Sequence, residues 1–154
     1  MLKDRLQNDL KQAMMGGDKR RATLLGMLKS AILYAEVAAG SRDTGLPDED
    51  ILKVLAKEAK QRQESADIYE KAGAFDKRDA ELAEKAIIEE YLPAQMSDAD
   101  LAKEIDAVIQ KNGPLSPQTM GKIIGQAKQH LGSKADGGRI AAYVKERLNE
   151  EVEK

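Results

Sequence analysis

The chain has 154 residues, with 25 Lys and Arg against 27 Asp and Glu, a near-balance that excludes a protein whose whole surface is a nucleic-acid footprint. Hydrophobic residues at 42% allow one domain or two small ones, while aromatics at 3% and charged residues at 34% point to a helical composition. The absence of cysteine excludes a disulfide framework, a Cys-zinc site and a thiol nucleophile.

The apolar spacing is helical from the start, and no alternating strand pattern competes with it. Leu2, Leu6, Leu10, Ala13 and Met14 predict a first helix that ends at Gly16-Gly17. Asp18 is placed to cap a second, with Leu24, Leu25, Leu28, Ile32 and Ala35 on its buried face and Gly40 as its stop. GSRDTGLP (40–47) reads as a polar loop. A third helix starts near Asp48, where Glu49 and Asp50 suit the positive end of the helix dipole, and runs to about Ala72; its later part, KEAKQRQESADIYEK, is polar enough to lie half in solvent. A fourth, from about Asp76, carries Leu82, Ala86, Ile87 and Tyr91 and stops at Pro93.

The segment Pro93–Met96 is the expected boundary. Ser97 followed by Asp100 has the form of a capping box, opening a fifth helix with Leu101, Ile105, Val108 and Ile109. Ser116-Pro117 is expected to start a sixth, with Met120, Ile123, Ile124, Ala127 and Leu131 as its stripe. The seventh holds Ile140, Tyr143, Val144 and Leu148 and trails into NEEVEK. The fold class is therefore all-α: a four-helix bundle-like subdomain over 1–93, then a small three-helix subdomain over 97–154. The opening MLKDRLQNDL has neither signal- nor transit-peptide character. No segment approaches a membrane span, so no membrane partner and a cytoplasmic location are expected.

Charge is unevenly spread. Residues 47–93 hold eight basic against thirteen acidic side chains, whereas 113–149 hold six against two, with the sole histidine, His130. The basic segment surrounds GSKADGGR (132–139). As a Walker loop this stretch fails, because Gly138-Arg139 stands where Lys-Ser/Thr is required and it follows a helix instead of a strand. As a joint between helices it is well explained: Gly132 past a helix end, Asp136 as a cap, Gly137 and Gly138 in the next first turn. The same geometry leaves amides and partial positive charge at a helix N-terminus, suited to an anion. Lys128, His130, Lys134 and Arg139 flank it, as groups that contact phosphate do.

No other constellation carries chemistry. One histidine without cysteine gives no ordinary zinc site, no nucleophile motif accompanies it, and the acidic runs lack the calcium-loop pattern. No catalytic residue, metal or cofactor is assigned. The methionines Met14, Met27 and Met120 fall on stripe positions and read as core filler. Lys19-Arg20-Arg21 reads as an exposed basic cluster.

At EEYLPAQMSDADL (89–101) and MGKIIGQAKQHLGSKADGGRIAAYVKERL (120–148) the sequence resembles the YqeY family, small all-helical proteins similar to the C-terminal region of the B subunit of glutamine-dependent tRNA amidotransferase. The likeness covers essentially the whole chain, including MLKDRLQNDLKQAM and KEAKQRQES. It implies an N-terminal bundle and a smaller C-terminal part corresponding to a tRNA-engaging tail, with ammonia production and amide transfer in other domains. Carried onto this sequence, MGK is Met120-Gly121-Lys122 and K-A-D-G is Lys134-Ala135-Asp136-Gly137, making Lys122 and Lys134 the leading candidates for an RNA backbone. Pro47 stands where the family more often has a Ser/Thr cap, and Leu33-Tyr34 where a Lys-Asn pair often sits, which removes a charge from the second helix. The resemblance implies a non-catalytic module that binds tRNA or assists an amidotransferase or aminoacyl-tRNA synthetase assembly. The family association also invites the label of carbon–nitrogen ligase, but the chain supplies no nucleophile, ATP loop or ammonia-releasing centre. The alternative is a helical protein–protein adaptor with no nucleic-acid role.

Overall fold

The computed structural model describes residues 1–153; Lys154, the last residue of the expected C-terminal subdomain, lies outside the described residues. Seven α-helices are present and, among the described residues, no strand: α1 (Leu2–Met15), α2 (Lys19–Ala38), α3 (Asp48–Lys71), α4 (Phe75–Glu89), α5 (Asp98–Lys111), α6 (Met120–Leu131) and α7 (Gly137–Glu153), with a 3-10 turn at Gly132–Lys134. The fold is all-α, and none of the described helices is long and apolar enough to cross a membrane. The helices fall into two compact units, Met1–Leu92 with α1 to α4 and a second from Pro93 with α5 to α7.

In the first unit α1 pairs with α2 and α3 with α4, and the two hairpins close over Leu6, Leu24, Leu25, Leu28, Ile32, Ile51, Leu55, Ala59, Ile88 and Tyr91. The α1–α2 turn uses Gly17 at φ 75°, a left-handed conformation that favours glycine. Asp18 then caps α2, its carboxylate accepting from the Arg21 amide at 3.1 Å. Pro47 precedes α3 with no side-chain cap; Asp48, Glu49 and Asp50 in the first turn complement the dipole instead. The Asp48 carboxylate also accepts from the Leu2 amide at 3.2 Å, which ties the start of α1 to the start of α3.

The apolar pattern misplaces three features of this unit. Met14 and Met27 are exposed, not core filler. On α4 the buried position is Ile88, whereas Ala86 and Leu82 face outward. The reason lies across the seam with α3, which is partly polar: Arg62 bonds Glu84, and the Lys85 ammonium donates to Gln63 at 2.8 Å. The same seam buries Arg62 to 7% exposure within the stretch expected to lie half in solvent. A second buried charge, Glu36 at the end of α2, is 0% exposed and accepts from the Lys3 ammonium at 2.6 Å.

Tyr91 closes the first unit. Its hydroxyl donates to Asp9, and the Arg5 guanidinium lies 4.6 Å from the ring centroid. Burial, and then the bond to Asp9, push its ionisation up to about 12. A phenol raised on folding contributes stability that is complete below its unfolded pKa of about 10 and is lost as pH rises through the folded value. Tyr91→Phe is therefore expected to cost about 1 kcal/mol at neutral pH, the scale of one net hydrogen bond. The gap from wild type should narrow between about pH 10 and 12 as wild-type Tyr91 ionises. Urea midpoints of both proteins against pH measure it.

The second unit packs Leu101, Ile105 and Ile109 of α5 against Ile123, Ala127 and Leu131 of α6 and Ile140 and Val144 of α7, with Leu115 and Ala135 sealing the turns. The Ser97 hydroxyl accepts from the Asp100 amide at 3.1 Å and starts α5 as its spacing predicts. Helix α6 starts at Met120, later than Ser116-Pro117 suggests. Ser116 and Thr119 close a separate turn first, the Ser116 amide donating to the Thr119 hydroxyl at 3.0 Å and the Thr119 amide to the Ser116 hydroxyl at 3.3 Å.

Candidate nucleic-acid interface

The joint between α6 and α7 is built from backbone. Helix α6 ends where Gly132 takes φ 56° and ψ −130°, a conformation that a Cβ would strain, and its amide donates to the Lys128 carbonyl. The 3-10 turn follows, and buried Ala135 is extended at φ −144° and ψ 138°. Two residues from the start of the unit hold this turn. The Met96 amide donates to the Lys134 carbonyl at 2.9 Å, and the Gln95 side-chain amide donates to the Ser133 carbonyl at 2.9 Å. The YLPAQMS and K-A-D-G stretches thus meet in space, 38 residues apart in sequence, and Gln95 acts as a clamp on the joint.

At the start of α7 the amide of Ile140 donates to the Asp136 carbonyl at 3.1 Å. Among the described residues no α7 amide donates to the Asp136 carboxylate, so the expected side-chain cap is not formed. The carboxylate instead lies over Gly138, where an added Cβ would come within 2.9 Å of Oδ2. The Lys128 chain lies over Gly137, 2.9 Å (Cε) and 3.3 Å (Nζ) from where a Cβ would stand. An ammonium is thereby held at the positive end of a helix, an arrangement unfavourable by itself and suited to an anion. Glycine at 137 is what leaves room for it.

The five candidate side chains do not form one cluster. Lys128 and Lys134 belong to the joint; both are exposed, and no carboxylate pairs with either among the described residues. Arg139 is half-buried and bonded to Asp98 at 2.7 Å. His130 is exposed, with Nε2 3.1 Å from Glu104 Oε2. Lys122 lies in the first turn of α6, about 15 Å along the axis from Gly132 at 1.5 Å per residue. It faces solvent there with Gly121 and Gly125, where an added Cβ would meet nothing within 4 Å.

Lys145 is counted in the basic excess over 113–149 but is not among the candidates the sequence names. It is exposed one face along α7 from Gly138 and Ala142, also exposed, with no carboxylate partner among the described residues. Its i+7 spacing from Gly138, two turns on, was the available signal.

The sequence model of the family described as Yqey-like protein matches residues 3–148. The chain belongs to the YqeY family. No curated protein matches the chain at a significant level. The family match spans both units and covers the positions of Gln95, the joint and Lys145.

Proposed function

We propose that this YqeY-family protein is a non-catalytic module that binds tRNA through the α6–α7 joint, with Lys128 and Lys134 as the principal phosphate contacts. One observation carries the reading: the Lys128 chain lies over Gly137 at the start of α7 and, among the described residues, forms no ion pair, while the Asp136 carboxylate lies over the neighbouring Gly138. Lys134 and Lys145 extend the positive surface from there along α7. Lys122 and the bare Gly121 and Gly125 on α6 give a backbone room to approach closely. His130 and Arg139 are secondary contacts, since each must leave Glu104 or Asp98 to reach a phosphate. An amidotransferase or aminoacyl-tRNA synthetase assembly that uses the bound tRNA is the natural setting for such a module. Amide chemistry is assigned to that partner and not to this chain.

Fluorescence anisotropy with labelled tRNA over a salt series tests the reading. Affinity should fall steeply with salt, and Lys128→Ala/Lys134→Ala should flatten log K against log salt by about 1.4 to 1.8, the release expected for two phosphate contacts. Lys122→Ala should flatten it further only if the RNA runs along α6. No binding at low salt, or an unchanged slope in the double variant, would remove the joint from consideration.

A further inference from the structure

Helix α2 is apolar on two opposite faces. Leu24, Leu25, Leu28 and Ile32 enter the core, as one amphipathic stripe should. On the other side, Met27 is 50% exposed, Leu33 48%, Tyr34 80% and Val37 56%. With Gly26 and Ser30 these residues follow the 4-3-4 spacing of a second helical stripe, running nearly two thirds of the helix. Gly26 has nothing within 4 Å of an added Cβ, so the fold does not require a glycine there; the small residues Gly26 and Ser30 leave the middle of the stripe low enough for another helix to approach. Single exposed apolar residues need no explanation, but a contiguous stripe of this kind marks an interaction surface.

Charge decides what fits it. The sole acidic residue of α2 is Glu36, and it is fully buried. Lys19 and Arg20 are exposed at one end of the stripe and Lys29 is partly exposed beside it. Arg21 is already paired with Glu90, Asp18 is the cap of the helix, and Arg42 and Asp43 beyond Gly40 offset one another. The outer face is therefore apolar with basic edges. A second copy of the same face would bring no α2 carboxylate across an isologous contact to offset Lys19, Arg20 and Lys29. From the apolar stripe, its low centre and its uncompensated lysine and arginine, we infer that the outer face of α2 docks an acidic amphipathic helix of another protein, with Tyr34 and Met27 as anchors. Such a partner lays its apolar stripe on this one and its glutamates over Lys19, Arg20 and Lys29, the helix-on-groove mode of peptide recognition.

The test uses the full chain and a labelled synthetic helical peptide of about three heptads, with leucine and alanine on one stripe and glutamate elsewhere, monomeric at the assay concentration. A matched peptide with lysine in place of glutamate is the control. Saturable binding of the acidic peptide, at least tenfold tighter than the lysine peptide, is expected. Tyr34→Glu should weaken it more than tenfold with an unchanged circular dichroism spectrum, because the side chain is exposed. Lys19→Glu/Arg20→Glu should invert the preference between the peptides. Tyr34→Glu should leave tRNA binding untouched, which separates this surface from the α6–α7 joint. Absence of saturable binding, equal affinity for both peptides or a Tyr34→Glu variant that binds as wild type would overturn the proposal. Dimerisation of the chain that Tyr34→Glu abolishes, seen by sedimentation, would overturn it in favour of self-association.

Discussion

Ile123→Ala is expected to unfold the second unit while the first stays folded. Ile123 is 0% exposed and sits in α6 between α5 and α7, in a cluster whose members all come from Leu101 to Val144. The first unit has its own cluster, drawn from Leu6 to Tyr91. A unit of this size is marginal, because small domains bury a low share of their surface and globular stability amounts to roughly 0.05–0.15 kcal/mol per residue, or about 3–9 kcal/mol here. Removing three carbons from a closed site costs about 3–4 kcal/mol in lost transfer energy and cavity. That is a large part of the whole stability, so α5, α6 and α7 should lose protection together. Hydrogen exchange should then show fast amides from Leu101 onward and protected amides at Leu24 to Ile32 and Ile51 to Ala59. One cooperative loss over both sets would refute the independence of the two cores. The same variant should lose tRNA binding, because the Gln95 clamp and the α7 N-terminus belong to the unit that unfolds.

Helix existence and the main core positions were legible because apolar spacing is a local signal. Leu24, Leu25, Leu28 and Ile32 on α2, Ile105 on α5 and Ile123 on α6 all appear where the 3.6-residue period puts them. What the period cannot carry is a helix face chosen by polar partners. The register of α4 is set partly by Glu84 and Lys85 reaching α3, so Ile88 turns inward and Ala86 outward. Met27 lies on an apolar position yet faces solvent, because α2 has two apolar sides and the pattern does not say which one the core takes, and Met14 is exposed in the last turn of α1. In the candidate interface, the glycine joint was visible in sequence, but its neutralisation was not. The excess of basic residues over 113–149 ignores Asp98 and Glu104 of α5, which engage Arg139 and His130 from outside that window. Lys122 stood near the joint in sequence and stands a helix length from it in space. Gln95, on the far side of α5 in sequence, stands against it.

Arg62→Ala is expected to destabilise the first unit by about 3 kcal/mol, near the lower end of what breaking a buried ion pair costs. The guanidinium is 7% exposed and is shared by Glu58 one turn back on α3 and by Glu84 of α4, the latter at 3.2 Å, with a further bond to the Glu58 carbonyl at 3.3 Å. Burial works against its charge, and hydrogen bonds to the two carboxylates outweigh that, so its ionisation is raised. Truncation leaves a cavity and two carboxylates facing each other without a cation. Their partial exposure, 21% and 32%, lets water relieve some of the cost. In a unit of this size about 3 kcal/mol lowers the melting temperature by roughly 12–20 °C. The network as a whole is a different matter. Replacing a buried ion triad with apolar residues of similar volume is often neutral or stabilising. Arg62→Met/Glu58→Leu/Glu84→Leu should therefore recover to within about 1 kcal/mol of wild type, by filling the seam that Arg62→Ala leaves empty. If the triple variant melts as low as Arg62→Ala, the charges themselves hold α3 to α4; if it recovers, they set the register of α4 and the packing holds the pair together.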